Sequence, residues 1–186
     1  MRLFVALQIS DDIRETIARL VDELQPLDNS WKWTRAENLH VTLKFLGETP
    51  LEKLNGVCEA LRRVSCAWPI PVNFRGLGFF PNERRPRVLW IGMEAQQTLT
   101  TLAVSIEDAL ARIGMPREER AFAPHLTLAR NKEERVSDKF RSALSSYTTR
   151  KFGTMNATAF HLVESKLKST GAQYTTLEWF SGPSEN

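Results

Sequence analysis

Two short segments of this chain share a pattern that is suited to acid–base chemistry. The segments NLHVTL and APHLTL each contain a His-x-Thr pair, His40 with Thr42 and His125 with Thr127. The pairs are 85 residues apart, close to half of the 186-residue chain, and they use two of its three histidines. A single His-x-Thr is usually structural, whereas a duplicated pair at half-chain spacing indicates two matching halves of one site.

These residue types are suited to displacement at a phosphodiester. Imidazole has an ordinary pKa near 6.5, so at neutral pH it serves either as a general base or as a general acid. In-line displacement at phosphorus needs one of each, on opposite sides of the phosphate. Threonine hydroxyls hydrogen-bond the non-bridging oxygens. This chemistry uses neither a metal nor a cofactor, and we expect none.

Both pairs lie in apolar segments that predict β-strands. Side chains of a strand alternate between its two faces, so each histidine projects from the same face as its threonine. The intervening Val41 and Leu126 then point into the core. Two such strands, packed side by side, would present two imidazoles and two hydroxyls to one cleft.

The rest of the chain predicts a mixture of strands and helices. Further strands are predicted at 3–9, 69–80, 87–93, 158–163 and 174–179, beside the motif strands at 41–46 and 125–129. Helices are predicted between Ser10 and Pro26, from Pro50 onward, over 99–113 and over 137–144. No low-complexity linker divides the chain, so residues 1–186 are expected to form a single domain. The elements do not alternate strictly, which favours an α+β fold.

Composition excludes several classes of protein. The chain has 25 Lys and Arg against 22 Asp and Glu, a net charge of +3, which permits an anionic ligand without indicating a duplex-DNA binder. The sequence lacks the Walker-type phosphate loop, the CxxC pair and the HExxH motif. It has no long apolar run, and we expect no secretory leader and reduced thiols at Cys58 and Cys66. These features predict a cytoplasmic protein without a membrane partner.

The two motifs, in the contexts ENLHVTLKFLGE and FAPHLTLAR, resemble the 2H phosphoesterase superfamily. The closer similarity is to its RNA 2′,3′-cyclic phosphodiesterases, which are also called 2′-5′ RNA ligases. The resemblance extends through RLFVALQIS, GLGFFPNERRPRVLWIGM and ESKLKSTGAQYTTLEWF, and so covers nearly the whole chain. It implies a bilobal fold, with two pseudo-symmetric antiparallel-sheet lobes and outer helices around a central cleft.

The resemblance also implies a reaction. A 2′,3′-cyclic phosphate at an RNA end would be hydrolysed to a 2′-phosphate, with His40 as general acid and His125 as general base. Thr42 and Thr127 would bind the phosphate, and the protein would act as a monomer. The same pair would serve ATP-independent 2′-5′ ligation. Two alternatives remain: action on a small cyclic nucleotide or an ADP-ribose cyclic phosphate, and a non-catalytic RNA- or nucleotide-binding module.

A second set of residues has weaker signals for substrate binding. Lys44 continues the face of His40 and Thr42, whereas alternation places Arg130 opposite His125 unless the strand end bends. Trp33 and Arg35 precede the first motif and are candidates for a wall beside a base or sugar. The candidates for stacking on a base are Phe4, Phe79 and Phe80. Basic stretches at 84–87 and 130–151 are candidates for an RNA backbone contact.

Overall fold

The computed structural model describes residues 1–95, 97–133, 135–169 and 171–182. It confirms an α+β fold. The strands are β1 Arg2–Gln8, β2 Trp31–Trp33, β3 His40–Glu48, β4 Ile70–Phe80, β5 Val88–Ala95, β6 His125–Asn131, β7 Lys151–Ala157, β8 Ala159–Lys168 and β9 Gly171–Ser181. The helices are α1 Asp11–Leu24, α2 Leu54–Arg62, α3 Gln97–Ala111 and α4 Asp138–Ser145, with short 3-10 turns at Gln25–Leu27, Ala36–Asn38 and Leu51–Lys53.

One antiparallel sheet curls to form two lobes. Its strand order is β7-β4-β5-β6-β3-β1-β8-β9, and β2 pairs with the end of β6, residues 129–131, beyond the pair that β6 makes with β3. We call β3, β1, β8 and β9 the first lobe, and β6, β5, β4 and β7 the second lobe. The two motif strands, β3 and β6, meet where the lobes join, and their ladder there consists of the Val41–Leu126 pair. The bilobal architecture expected from the resemblance is therefore present.

The helices cover the outer faces of the two lobes. α2 packs against α3 and β9, and α3 packs against β3, which covers the first lobe. α1 packs against β7, and Phe140 of α4 stacks on Trp31 of β2 with ring centroids 5.7 Å apart, which covers the second lobe. The opposite face of the sheet carries the histidines. Among the described residues, no helix has both the length and the apolar character needed to cross a bilayer.

Several predicted elements change at their ends, and two strands were missed. The capping-box segment that starts at Thr49 forms a 3-10 turn before α2 begins at Leu54, and its cap makes no side-chain hydrogen bond. Ser137 does cap α4, because its hydroxyl accepts a hydrogen bond from the amide of Phe140. β2 has three residues, too few for periodicity to reveal it. β7 contains a register shift near Phe152, which destroys its period-two pattern.

Candidate active site

The four motif side chains meet in one cleft of about 660 Å³ between the lobes. The pairing of Val41 with Leu126 is antiparallel, so continuing the register places position 40 beside position 127 and position 42 beside position 125. The two histidines then occupy diagonal positions, whose Cβ atoms are typically about 7–8 Å apart or somewhat less. Such a spacing leaves room for one phosphate between the rings.

A one-residue bulge follows each motif at the same relative position. In the first lobe Ala6 pairs with Thr42 and Val5 pairs with Lys44, so Leu43 is the extra residue. In the second lobe Trp90 pairs with Thr127 and Leu89 pairs with Ala129, which makes Leu128 the extra residue. A bulge reverses the alternation of faces beyond it.

The first bulge makes the prediction for Lys44 wrong. Lys44 points to the core, where it is only 3% exposed. Its ammonium group donates to Glu107 Oε1 at 2.7 Å and to the carbonyl of Pro116 at 2.9 Å. Phe45 takes the place in the cleft that alternation assigned to Lys44. The lysine is therefore a structural residue that ties β3 to α3.

The second bulge brings Arg130 to the cleft. Simple alternation places this side chain opposite His125, yet it lines the same cavity as both histidines because Leu128 is inserted into the strand. Arg130 and Phe45 are thus matched positions of the two lobes, each three residues after the motif threonine. One is a cation and the other is an aromatic ring.

Both imidazole rings are oriented by the same backbone contact. His40 Nδ1 lies 2.7 Å from the carbonyl oxygen of Asn38, and His125 Nδ1 lies 2.8 Å from that of Ala123. A carbonyl oxygen only accepts, so Nδ1 is the donor in both rings and carries a hydrogen. Nε2 is then the nitrogen that gains or loses a proton. Each ring can act as a base when neutral and as an acid when charged.

The surroundings of the two rings differ. His40 contacts the rings of Phe4 and Tyr174, with centroid distances of 4.7 and 5.2 Å. His125 contacts the edge of Phe80, with centroids 4.9 Å apart. Burial lowers the pKa of His40, while the hydrogen bond to Asn38 opposes this shift and the charges of His125 and Arg130 add to it. The environment of His40 is therefore the more aromatic of the two.

The lining of the cleft is more strongly positive than the small net charge of the whole chain indicates. Five cationic side chains are among its described lining residues: Arg2, Lys32, Arg35, Arg130 and Lys168. Asp and Glu are absent from that described lining, although Arg35 contacts Glu37 nearby at 3.9 Å. Trp33 and Arg35, the candidates for a wall beside a base or sugar, line the cavity. The cleft is thus suited to an anion that also presents an aromatic or sugar ring.

The structure places Phe79 away from the cleft, contrary to its prediction as a substrate-binding residue. Phe79 pairs with the fully buried Leu89 and stacks on Trp31, with ring centroids 5.7 Å apart. Phe80, the next residue, has the opposite orientation and contacts His125. Two adjacent phenylalanines on one strand face opposite sides, and the sequence does not indicate which of them faces the site.

Residues from the far end of the chain also line the cleft. The hairpin of β8 and β9 contributes Ser165, Leu167, Lys168 and Tyr174. The side-chain amide of Asn38 donates to the carbonyl of Ala172 at 2.8 Å, which fastens this hairpin beside the first motif. Sequence reasoning missed these residues because they are distant from both motifs along the chain. In the described part of the chain, no group of three or more His, Cys, Asp or Glu side chains is arranged to hold a metal ion.

Comparison with known protein families gives two matches, which agree with the internal duplication of the His-x-Thr motif. The family model described as LigT like Phosphoesterase matches twice, at residues 7–90 and 91–174. Each match contains one His-x-Thr pair. The duplication seen in the motifs therefore extends over most of the chain.

Comparison with individual proteins gives matches over nearly full length. A protein of Archaeoglobus fulgidus named RNA 2′,3′-cyclic phosphodiesterase is 38% identical, over 97% of this chain and 99% of the relative. A solved structure from Thermus thermophilus has a TM-score of 0.83 and 31% identity, with 97% of each chain covered. Escherichia coli LigT, solved in complex with 3′-AMP, has a TM-score of 0.79 and 28% identity, again with 97% of each chain covered.

Proposed function

This chain belongs to the LigT like phosphoesterase family, and we propose that it hydrolyses the 2′,3′-cyclic phosphate at RNA ends to a 2′-phosphomonoester. The substrate class follows the name of its relatives, such as the Archaeoglobus fulgidus RNA 2′,3′-cyclic phosphodiesterase. The observation that carries the proposal is the convergence of two His-x-Thr pairs on one cleft with a cationic lining. Both pairs come from the same chain, so we expect a monomer to be active.

The two histidines supply the proton transfers. Neutral His125 removes a proton from water through Nε2 as the water oxygen bonds to phosphorus. The bond between phosphorus and the ribose 3′-oxygen breaks, and charged His40 donates its Nε2 proton to that oxygen. The products are a 2′-phosphate and a 3′-hydroxyl. His125 ends charged and His40 ends neutral, and exchange of one proton with solvent restores the starting state.

The remaining polar groups stabilise the phosphate. Thr42 and Thr127 donate hydrogen bonds to its non-bridging oxygens, and the Arg130 guanidinium opposes the negative charge that grows at these oxygens. Both threonines lie on paired strands of the sheet, so their hydroxyls need little reorganisation during the reaction.

The asymmetry of the cleft supports the assignment of acid and base. Phe4, Phe45 and Tyr174 surround the His40 side, and stacking on such rings would hold the nucleoside there. Arg130 faces the cleft from the other lobe and attracts the phosphate oxygens. We expect this arrangement to hold a ribose oxygen next to His40 and to leave the His125 side to water.

Ligation would use the same groups. A 5′-hydroxyl in place of water would attack the cyclic phosphate after His125 removed its proton, and His40 would again protonate the 3′-oxygen. The product is a 2′-5′ phosphodiester, and no nucleoside triphosphate is consumed. Water and the 5′-hydroxyl thus compete for the same position beside His125.

The proposal is tested by incubating the protein with cytidine 2′,3′-cyclic phosphate in excess EDTA and separating the two possible products. We expect turnover without added metal and a predominance of the 2′-monophosphate. A preparation of the His40→Ala/His125→Ala double variant controls for contaminating nucleases. Tight binding without turnover would support the binding-module alternative, and a strong preference for ADP-ribose cyclic phosphate would support the small-molecule alternative.

A further inference from the structure

Trp179 on β9 has a large apolar ring in contact with solvent. It is 63% exposed, whereas the other four tryptophans, Trp31, Trp33, Trp68 and Trp90, are buried or half-buried. Most of a tryptophan's favourable contribution comes from burial, so an exposed indole is an unusual use of this residue. Exposed aromatics are a means of binding single-stranded nucleic acid, because every base has a face on which a ring can stack.

The sheet register connects Trp179 to the active-site face. Thr42 pairs with Ala6, Ala6 pairs with His161, and His161 pairs with Trp179. Directly opposed residues of antiparallel strands project from the same face. Trp179 therefore lies on the face that carries the phosphate-binding threonine, in the same cross-strand row, at the outer edge of the first lobe.

Neighbouring contacts confirm this orientation. Glu178, the residue before Trp179, accepts hydrogen bonds from Arg62 of α2, so the helix lies on the other face of β9. The indole rests on the buried imidazole of His161, with ring centroids 4.1 Å apart. On the same strand as Trp179, Thr176 accepts a hydrogen bond of 3.4 Å from the side-chain amide of Gln8 of β1, which adds a polar contact to this part of the sheet.

The spacing fits a nucleotide that precedes the reacting one. Three inter-strand steps separate Trp179 from Thr42, about 14 Å in total at 4.7–4.9 Å a step. The rings beside His40 are much nearer to the phosphate and would take the base of the terminal nucleotide. A four-stranded antiparallel sheet with helices on one face and aromatic rings on the other is also an established way to bind single-stranded RNA.

We propose that Trp179 is a second base-stacking site, which binds a nucleotide on the 5′ side of the cyclic-phosphate end of single-stranded RNA. This inference rests on the proposed function for its substrate class. Binding at Trp179 would make the enzyme prefer an oligonucleotide end to a free cyclic mononucleotide.

The test compares two substrates, cytidine 2′,3′-cyclic phosphate and a single-stranded tetranucleotide with the same cyclic end. Trp179→Ala should raise KM for the tetranucleotide about 5- to 150-fold, the range that corresponds to one lost base-stacking contact, and leave KM for the mononucleotide unchanged. Trp179→Phe should retain most of the affinity. Val104→Ala, at an exposed apolar position on α3, is the matched control and should change neither value.

A tetranucleotide that lacks one upstream base identifies the partner of the ring. The abasic site that weakens the wild-type enzyme should have no further effect on Trp179→Ala, because both changes remove the same contact. Equal effects of Trp179→Ala on both substrates, no effect on either, or a wild-type enzyme that does not prefer the tetranucleotide would each overturn the inference.

Dissociation constants separate this inference from the proposed function. The 2′-phosphorylated forms of both substrates can be titrated without turnover. If the wild-type protein hydrolyses neither substrate and still binds the tetranucleotide more tightly through Trp179, the proposed hydrolysis fails and the stacking site stands. If Trp179→Ala binds the tetranucleotide as tightly as the wild type, the stacking site fails whatever the activity.

Discussion

The two lobes of the active site are alike at the histidines and different three residues after the threonines. Each lobe has a His-x-Thr pair, a backbone carbonyl that orients the imidazole, and a bulge directly after the motif. Beyond the bulge, the first lobe presents Phe45 to the cleft and the second presents Arg130. Under the proposed function, the duplicated architecture supplies two similar proton carriers, and the residues after the bulges would orient the substrate.

The same comparison distinguishes residues that should affect activity from residues that should affect stability. Behind Phe45, the first lobe buries Lys44 against Glu107, whereas the matching residue of the second lobe is the small and fully buried Ala129. Arg130 and Lys44 are both cations that follow a His-x-Thr pair on a motif strand, yet one faces the cleft and the other faces the core. Substitutions in the two lobes should consequently differ in kind.

The largest effect is expected at the two histidines. His40→Ala and His125→Ala should each reduce kcat/KM by roughly 10²–10⁴-fold, since each removes one proton transfer. The double variant should be little worse than either single variant, because the pair acts on one phosphate. Steady-state hydrolysis of a cyclic nucleotide measures all three, and multiplicative losses in the double variant would show that the lobes act independently.

The next effect sharpens the contrast between the two cations. Arg130→Met should reduce kcat/KM by about 10- to 100-fold through loss of a charged hydrogen bond to phosphate, with little change in thermal stability. Lys44→Met should leave phosphate affinity unchanged and lower the free energy of unfolding by about 3 kcal/mol, because the Glu107 carboxylate keeps the Glu118 amide but loses its cation.

Chemical denaturation and kinetics of both variants measure these outcomes. The double variant Lys44→Met/Glu107→Leu should recover part of the lost stability, since it no longer leaves a carboxylate without its cation. A Lys44→Met enzyme with unchanged stability and reduced affinity for phosphate would show that Lys44 lies in the cleft. That result would contradict the bulge at Leu43.

A smaller effect is expected at the threonines. Thr42→Val and Thr127→Val keep the shape of the side chain and remove one phosphate hydrogen bond, worth about 1–2 kcal/mol or 5- to 30-fold in kcat/KM. Similar losses for the two variants would support a phosphate held evenly between the lobes. No loss at Thr42 combined with a large loss at Thr127 would place the phosphate on the second lobe alone.

The smallest effect concerns pH. The kcat/KM profile should be bell-shaped, with one limb below the ordinary imidazole pKa, because burial lowers the pKa of His40. Arg130 contributes to that lowering, so Arg130→Met should move the same limb to higher pH. Bound phosphate favours charged imidazole and should raise the limbs in the kcat profile relative to kcat/KM. A flat profile would remove acid–base catalysis from the mechanism.

The parts of this site that were predictable depend on local periodicity. His40 and Thr42 share a strand face because alternation holds over two residues, and the repeat at His125 identified the second strand. The predictions failed at Lys44 and Phe79, where a shift of one residue along the strand changes which face of the sheet the side chain occupies. Leu43 and Leu128, the inserted residues, are ordinary apolar side chains and give no sequence signal of a bulge.

Long-range packing was also beyond the sequence. The buried Lys44 ammonium group depends on distant acceptors, the Glu107 carboxylate 63 residues away and the carbonyl of Pro116. The β8–β9 hairpin reaches the cleft because β8 pairs with β1. The segment ESKLKSTGAQYTTLEWF carries part of the family resemblance, but it contains no His-x-Thr pair that would assign Leu167 or Tyr174 to the site. The positive potential of the cleft arises in the same way, since it collects cations from four separate segments of a chain with a net charge of +3.

The most direct test of the central claim replaces the leaving oxygen by sulfur. In a nucleoside 2′,3′-cyclic phosphate with a 3′-bridging sulfur, the leaving group departs as a thiolate and needs no proton, since a thiol has a pKa near 8.5. If His40 is the general acid, His40→Ala should recover to within about tenfold of the wild-type rate on this substrate, and His125→Ala should keep its full loss of roughly 10²–10⁴-fold. Recovery of His125→Ala instead would reverse the acid and base assignments, and recovery of neither variant would contradict protonation of the leaving oxygen by a histidine.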